Sequence, residues 1–120
     1  MVIHRRCDPT GLVEATLSDV VTARDHADLV KFVRAAVATL GAVRVLITLE
    51  EFVAWQPEVL ADSDPALWLD DDEGVVMIAV VGDRAWRHTV LSLLARPLRR
   101  VPIEYFTDDA MARRWLEVSA

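Results

Sequence analysis

Short runs of β-branched, nearly uncharged residues alternate with amphipathic stretches, and this alternation most constrains the fold of the chain. Val43–Leu49 and Val75–Val81 are rich in valine, isoleucine and leucine. Such runs are typical of strands that are buried on both faces of a sheet. Strands that alternate with helices predict crossover connections and a mostly parallel or mixed sheet. The pattern therefore predicts an α/β fold.

The predicted order of elements is β-β-α-β-α-β-α-β-α. Val2–Cys7 and Leu12–Leu17 predict a hairpin around Asp8–Gly11, because proline and glycine favour turns. A helix is predicted from the capping box Thr22–Asp25 to Leu40, with Gly41 ending it. The other predicted elements are strands at Val43–Leu49, Val75–Val81 and Pro102–Thr107, one broken or two short helices across Pro57–Asp70, a helix capped by Asp83 and a final helix starting at Asp108 or Asp109.

The first helix has a clear apolar face. Val30, Val33, Val37 and Leu40 recur at helical spacing, so we expect these side chains to pack against the sheet.

The composition is that of one globular domain spanning residues 1–120. The chain is 53% hydrophobic, which excludes intrinsic disorder, and its net charge of -6 argues against a nucleic-acid partner. A single cysteine, Cys7, cannot form an internal disulfide, which favours a reducing compartment. No apolar run approaches the roughly 20 residues of a membrane span. We therefore expect a cytoplasmic protein without a transmembrane segment.

Motifs for phosphate binding, metal binding and nucleophilic catalysis are missing from the sequence. The strand–turn–helix stretch Val80–Leu98 has one glycine and no lysine, and Asp83 is predicted to satisfy the amides that a phosphate would need. His4, His26 and His88 are scattered, and Asp70–Glu73 lacks the spacing of a calcium loop. No G-x-S-x-G elbow is present. We expect no catalytic residue, no cofactor and no metal.

Opposite charges are segregated along the chain. No lysine or arginine occurs from Val45 to Asp83, whereas Arg84–Arg100 carries five arginines and no acid. One interpretation is that successive helices face each other across solvent, where each ion pair contributes little. The other is a complementary patch that pairs protomers or docks a partner. The residues of this candidate interaction surface are Glu50, Glu51, Arg84, Arg87, His88 and Arg96.

The four tryptophans fall into two pairs. Trp86 and Trp115 lie on apolar helical faces and are predicted to be core residues. Trp55 and Trp68 bracket the irregular stretch Pro57–Asp70, where an amphipathic segment either packs plainly on the core or encloses a small apolar pocket. The candidate pocket residues are Phe52, Trp55, Leu60, Leu67 and Trp68.

Several of these stretches together resemble one family. They are Leu46–Phe52 followed by Trp55, Ile78–Asp83 with Trp86, Ile103–Phe106, and Ala112 with Trp115–Leu116. From Leu12 onward the chain resembles the SpoIIAA-like family, which is related to the STAS domain. The resemblance implies a sandwich in which a mixed central sheet of about five strands is flanked by about four helices.

The resemblance also carries functional expectations. STAS domains are generally non-enzymatic interaction modules, which implies a protein partner or a homodimer. Anti-anti-sigma members are phosphorylated on a serine after the third strand, but Glu50–Gln56 contains no serine or threonine. The SpoIIAA-like branch is similar in architecture to CRAL-TRIO lipid-binding domains. The alternative expectation is therefore a carrier or sensor of a small apolar or lipid-like ligand.

Overall fold

The computed structural model describes residues 2–56, 74–94 and 102–118. Five strands and three α-helices alternate along these residues. The strands are β1 (Val2–Cys7), β2 (Leu12–Val21), β3 (Val43–Trp55), β4 (Val75–Val81) and β5 (Ile103–Phe106). The helices are α1 (Ala23–Leu40), α2 (Arg87–Leu94), which follows a 3-10 turn at Arg84–Trp86, and α3 (Asp109–Val118).

The strands form one mixed sheet, in which the spatial order β1-β2-β3-β4-β5 is also the order along the chain. β1 is antiparallel to β2, and every other neighbouring pair is parallel. Parallel neighbours need a crossover, and α1 supplies it between β2 and β3. The predicted mixed α/β sheet of five strands is confirmed.

The number of helices among the described residues is lower than the number predicted for the whole chain. We expected about four, and the described residues form three. The helix or helices predicted across Pro57–Asp70 lie outside the described residues.

Apolar side chains pack on both faces of the sheet. On one face, Val45 and Ile78 are fully buried in a cluster that includes Leu29 of α1. On the other face, Leu46 packs in a second cluster with Leu116 of α3. Full burial of such a side chain contributes about 1.5–3 kcal/mol, so the double-sided core is the main stabilising term of the fold.

The capping box predicted at the start of α1 is confirmed. The Thr22 hydroxyl accepts from the Asp25 amide at 3.0 Å, and the Asp25 carboxylate accepts from the Thr22 amide at 3.1 Å. This second hydrogen bond is the main reason that the pKa of Asp25 is lowered. At the other end, Gly41 adopts φ +87°, the left-handed region that favours glycine, and α1 ends there as predicted.

The prediction that Leu40 packs on the sheet is wrong. Val30 and Val33 are buried as expected, but Leu40 is 41% exposed. Leu40 is the last residue of α1 and lines an open groove beside Pro9 and Phe32. The apolar spacing continues to the last residue of α1, but Leu40 lies beyond the part of the helix that packs on the sheet.

The third strand is longer than predicted. We expected it to end at Leu49, but β3 runs on to Trp55. The extension is held by β2, which itself continues to Val21, where Val20 and Val21 pair with Ala54 and Trp55. Main-chain pairing with β2 therefore extends the strand beyond the nearly uncharged run that predicted it.

An ion cluster joins the β1–β2 hairpin to α3. The Glu14 carboxylate accepts from Arg6 Nη2 at 2.6 Å and from Arg113 Nη2 at 2.5 Å, and Arg113 also pairs with Asp109 at 2.7 Å. Burial alone would raise the pKa of Glu14, but the hydrogen bonds from the two arginines outweigh it and lower that pKa. The cluster therefore stabilises the contact between two elements that are distant in the sequence.

We expect Glu14→Gln to lower the free energy of unfolding by about 1 kcal/mol near neutral pH, because the partly exposed arginines limit the strength of the pairs. The folded pKa of Glu14 is depressed, so this stability is present above the ordinary pKa of glutamate. It is lost as the pH falls through the folded value.

Urea unfolding at about pH 7 and about pH 3 measures both effects. The matched control is Glu104→Gln, because Glu104 is exposed on β5. Equal losses in the two variants, or a Glu14→Gln loss that is undiminished in acid, would contradict the role of the cluster.

Candidate functional site

The carboxyl ends of the parallel strands form the edge of the sheet at which ligands bind in open α/β folds. At this edge a pocket of about 360 Å³ lies between the end of β3 and the turn that follows β4. We call it the edge pocket. Its lining residues are Leu49, Glu51, Phe52, Asp83, Ala85 and Trp86.

The β3 wall of the edge pocket is shaped by an irregular backbone. Glu51 adopts φ +51°, and the register between β2 and β3 shifts where Asp19 pairs with Phe52. Because this kink interrupts the alternation of the strand, Glu50 and Glu51 are both exposed and Phe52 is half-buried. The kink therefore presents two carboxylates beside an aromatic ring.

Three aromatic rings contact one another in series next to the β3 wall: Trp55, Phe52 and Trp86. The Phe52 ring centroid lies 4.5 Å from that of Trp55 and 4.8 Å from that of Trp86, the second pair in an edge-to-face arrangement. Trp55 is only 5% exposed and belongs to the core cluster. Contacts of this kind are favourable and hold Trp86 against the pocket.

The opposite wall is the turn that follows β4, and hydrogen bonds to β5 hold it in place. The Asp83 carboxylate accepts from the Ala85 amide at 2.8 Å, which confirms Asp83 as a cap, here of the 3-10 turn. Tyr105 Oη donates to the Asp83 carbonyl at 2.5 Å, and the Gly82 amide donates to the Phe106 carbonyl at 3.0 Å. Burial, with a contribution from the Asp83 charge, raises the pKa of Tyr105, so the hydroxyl keeps its proton as a donor.

The lining of the edge pocket suits binding better than covalent chemistry. Its walls carry two carboxylates and two aromatic faces, a combination that attracts cationic groups. Around it, Arg84, Arg87 and His88 are exposed on the 3-10 turn and the start of α2. Within the described part of the chain, no salt bridge joins these bases to Glu50 or Glu51.

Part of the candidate interaction surface is therefore brought together. Glu51 lies across the pocket from the 3-10 turn that carries Arg84, and Arg87 and His88 follow directly. Arg96 lies outside the described residues.

The apolar pocket that we expected beneath Pro57–Asp70 stays a prediction. Leu60, Leu67 and Trp68 lie outside the described residues. Of the two described members, Phe52 lines the edge pocket and Trp55 is a core residue.

Sequence reasoning did not find every wall of the edge pocket. Asp83 was predicted only as a cap, and Leu49 was not singled out. Tyr105, which holds the Asp83 turn without lining the pocket, was not singled out either. A capping aspartate directly after a buried strand was the one signal that could have located this edge.

In residues 2–56, 74–94 and 102–118, no three histidine, cysteine or acidic side chains lie close enough together to hold a metal ion. No helix formed by these residues is both long and apolar enough to cross a membrane.

The sheet and the helices on its two faces define an α/β sandwich domain with a mixed five-stranded sheet. The family model named SpoIIAA-like matches residues 12–117, and the chain belongs to this family. The chain is similar in structure to an uncharacterised protein of the DUF3478 family with a SpoIIAA-like fold from Shewanella loihica PV-4. The TM-score is 0.65 at 16% identity, covering 97% of this chain and 92% of the other. No curated protein matches the sequence.

A substitution at Gly82 tests how closely Tyr105 packs on the Asp83 turn. A Cβ atom at this position would lie 2.7 Å from Tyr105 Oη and 3.0 Å from Leu49 Cβ. We therefore expect Gly82→Ala to destabilise the protein by about 1–3 kcal/mol. The cost should be smaller in a Tyr105→Phe background, where the nearest atom is absent.

A double-mutant cycle measured by chemical denaturation gives the coupling energy between the two positions. Strictly additive effects of the two substitutions would contradict the close packing of Tyr105 on this turn.

Proposed function

We propose that this protein is a non-enzymatic, cytoplasmic interaction module that pairs with a second copy of itself. The contact is made by the carboxyl edge of the sheet. The observation that carries the proposal is an exposed set of acidic side chains next to an exposed set of basic ones, around a pocket with aromatic walls. We call this the carboxyl-edge surface, and its residues are Glu50, Glu51, Phe52, Asp83, Arg84, Trp86, Arg87 and His88.

The distribution of charge supports pairing between identical chains. In a two-fold symmetric contact, each surface meets its own copy, so residue i of one protomer faces residue j of the other and the reverse. A surface with an acidic half at Glu51 and a basic half at Arg87 is complementary to itself under this symmetry. Both side chains are exposed in the single chain, so both are available to a second copy.

The aromatic side chains supply the apolar part of the contact. Trp86 and Phe52 line the edge pocket and are only partly buried. Tryptophan and arginine are the residues that most often dominate the free energy of protein–protein association. The rings are also held in place by their mutual contact, which limits the entropy lost on binding.

The surroundings of the two pocket carboxylates favour binding over catalysis. Acid–base catalysis by a carboxylate pair generally needs one group in a desolvated setting, as in glycosidases. Glu51 and Asp83 are both exposed, and the Asp83 carboxylate is engaged by the Ala85 amide. This supports a docking role for the edge pocket.

Charge reversal tests the proposed pairing. We expect Glu51→Lys and Arg87→Glu each to weaken self-association, because each places like charges opposite one another in the homodimer. An equimolar mixture of the two variants should restore association, since the reversed charges then face opposite partners. Sedimentation velocity measures the association of all three samples. The buffer has low ionic strength, because the screening of charges is weakest there.

The matched control is Glu117→Lys, because Glu117 is exposed near the end of α3, at the amino end of the sheet. It should associate like the wild-type protein. A wild-type protein that remains monomeric at high concentration would contradict self-pairing. So would a mixture of the two reversed variants that stays dissociated.

A further inference from the structure

A second cavity lies at the amino end of the sheet, between α1 and the β1–β2 turn. It is an open groove of about 410 Å³, a volume within the range of small-molecule sites. Phe32 and Leu40 stand at its two ends along α1, and the short side chains of Ala35 and Ala36 leave the depression between them. Cys7 and Pro9 form the facing wall.

The polar groups on the groove wall are already engaged within the chain. The Thr39 hydroxyl donates to the Ala35 carbonyl at 3.1 Å, and the Cys7 thiol donates to the Asp8 carbonyl at 3.6 Å. Asp8 Oδ1 accepts from the Thr10 amide, the Thr10 hydroxyl and the Leu12 amide. The groove therefore presents apolar atoms to an occupant and offers little to a polar one.

A cation lies at the Phe32 end of the groove. The Arg5 guanidinium sits 5.5 Å from the centre of the Phe32 ring, and Nη1 makes a long contact of 3.4 Å with the Asp28 carbonyl. Arg5 is exposed, and among the described side chains it forms no ion pair with a carboxylate. Because a guanidinium has five donors, most of them remain available to an anion.

The length of the groove suits an unbranched acyl chain. Phe32 and Leu40 are eight residues apart on α1, which corresponds to about 12 Å along the helix axis. A polymethylene chain can lie along this length over the two alanines.

We propose that this groove binds a medium-chain fatty carboxylate, with its acyl chain along Phe32–Leu40 and its carboxylate on Arg5. A bidentate guanidinium–carboxylate contact is strong and geometrically specific. The site lies at the opposite end of the sheet from the carboxyl-edge surface, so it stands independently of the proposed pairing.

The single cysteine provides a direct reporter of occupancy. Cys7 is half-buried in the groove wall, and an acyl chain lying there would block its access to a thiol reagent. We expect decanoate to slow alkylation of Cys7 by iodoacetamide several-fold and saturably, below the concentration at which decanoate forms micelles. Calorimetric titration of the same protein gives the dissociation constant.

Two variants of α1 separate binding in the groove from binding elsewhere. Ala35→Trp fills the depression and should abolish protection of Cys7 by decanoate. Ala38→Trp is the matched control, because Ala38 is an exposed α1 residue outside the groove lining, and protection should persist. A circular dichroism spectrum establishes that both variants are folded.

The role of Arg5 is tested with a charged and an uncharged ligand. Arg5→Gln should weaken decanoate binding by about tenfold through loss of the charge-assisted contact, while decanol binding to this variant stays at the wild-type level. The proposal is overturned if decanoate does not protect Cys7, or if Ala35→Trp leaves the protection intact. It is equally overturned if Arg5→Gln has no effect on decanoate.

Discussion

The fold depends on β3, the central strand of the sheet. β3 pairs in parallel with β2 on one side and with β4 on the other, and its side chains enter both cores. Val45 packs toward α1 and Leu46 toward α3, and both are almost fully buried. A register slip of one residue in β3 would exchange these two faces. It would turn Arg44, which donates to the Leu116 carbonyl on the α3 side, toward the α1 core, so the register is strongly determined.

The same parallel register creates two chemically different ends of the sheet. At the carboxyl end, β3 runs past its neighbour β4 and meets the Asp83 turn, which Tyr105 holds from β5. At the amino end, the β1–β2 turn and the end of α1 leave an apolar groove. The carboxyl end carries exposed charges of both signs, whereas the groove at the amino end is lined mainly by apolar side chains, so the two ends suit different kinds of occupant.

Local patterns in the sequence predicted most of the elements, because the information for them is local. The capping box at Thr22–Asp25, the stop at Gly41 and the apolar run Val75–Val81 all depend on residues close together in the chain. The extension of β3 was missed because pairing with β2 decides it. The edge pocket was not predicted as one site, since its walls come from segments about thirty residues apart and meet through sheet topology.

Hydrogen–deuterium exchange at low and high protein concentration tests the central claim that the carboxyl-edge surface is the contact face. If two copies pair there, amides of Glu50–Phe52 and Asp83–His88 become protected as the concentration rises, while those of β1 do not change. Exchange that is independent of concentration would contradict the claim. Protection confined to β1 or to the amino end of the sheet would contradict it as well, because it would place the contact elsewhere.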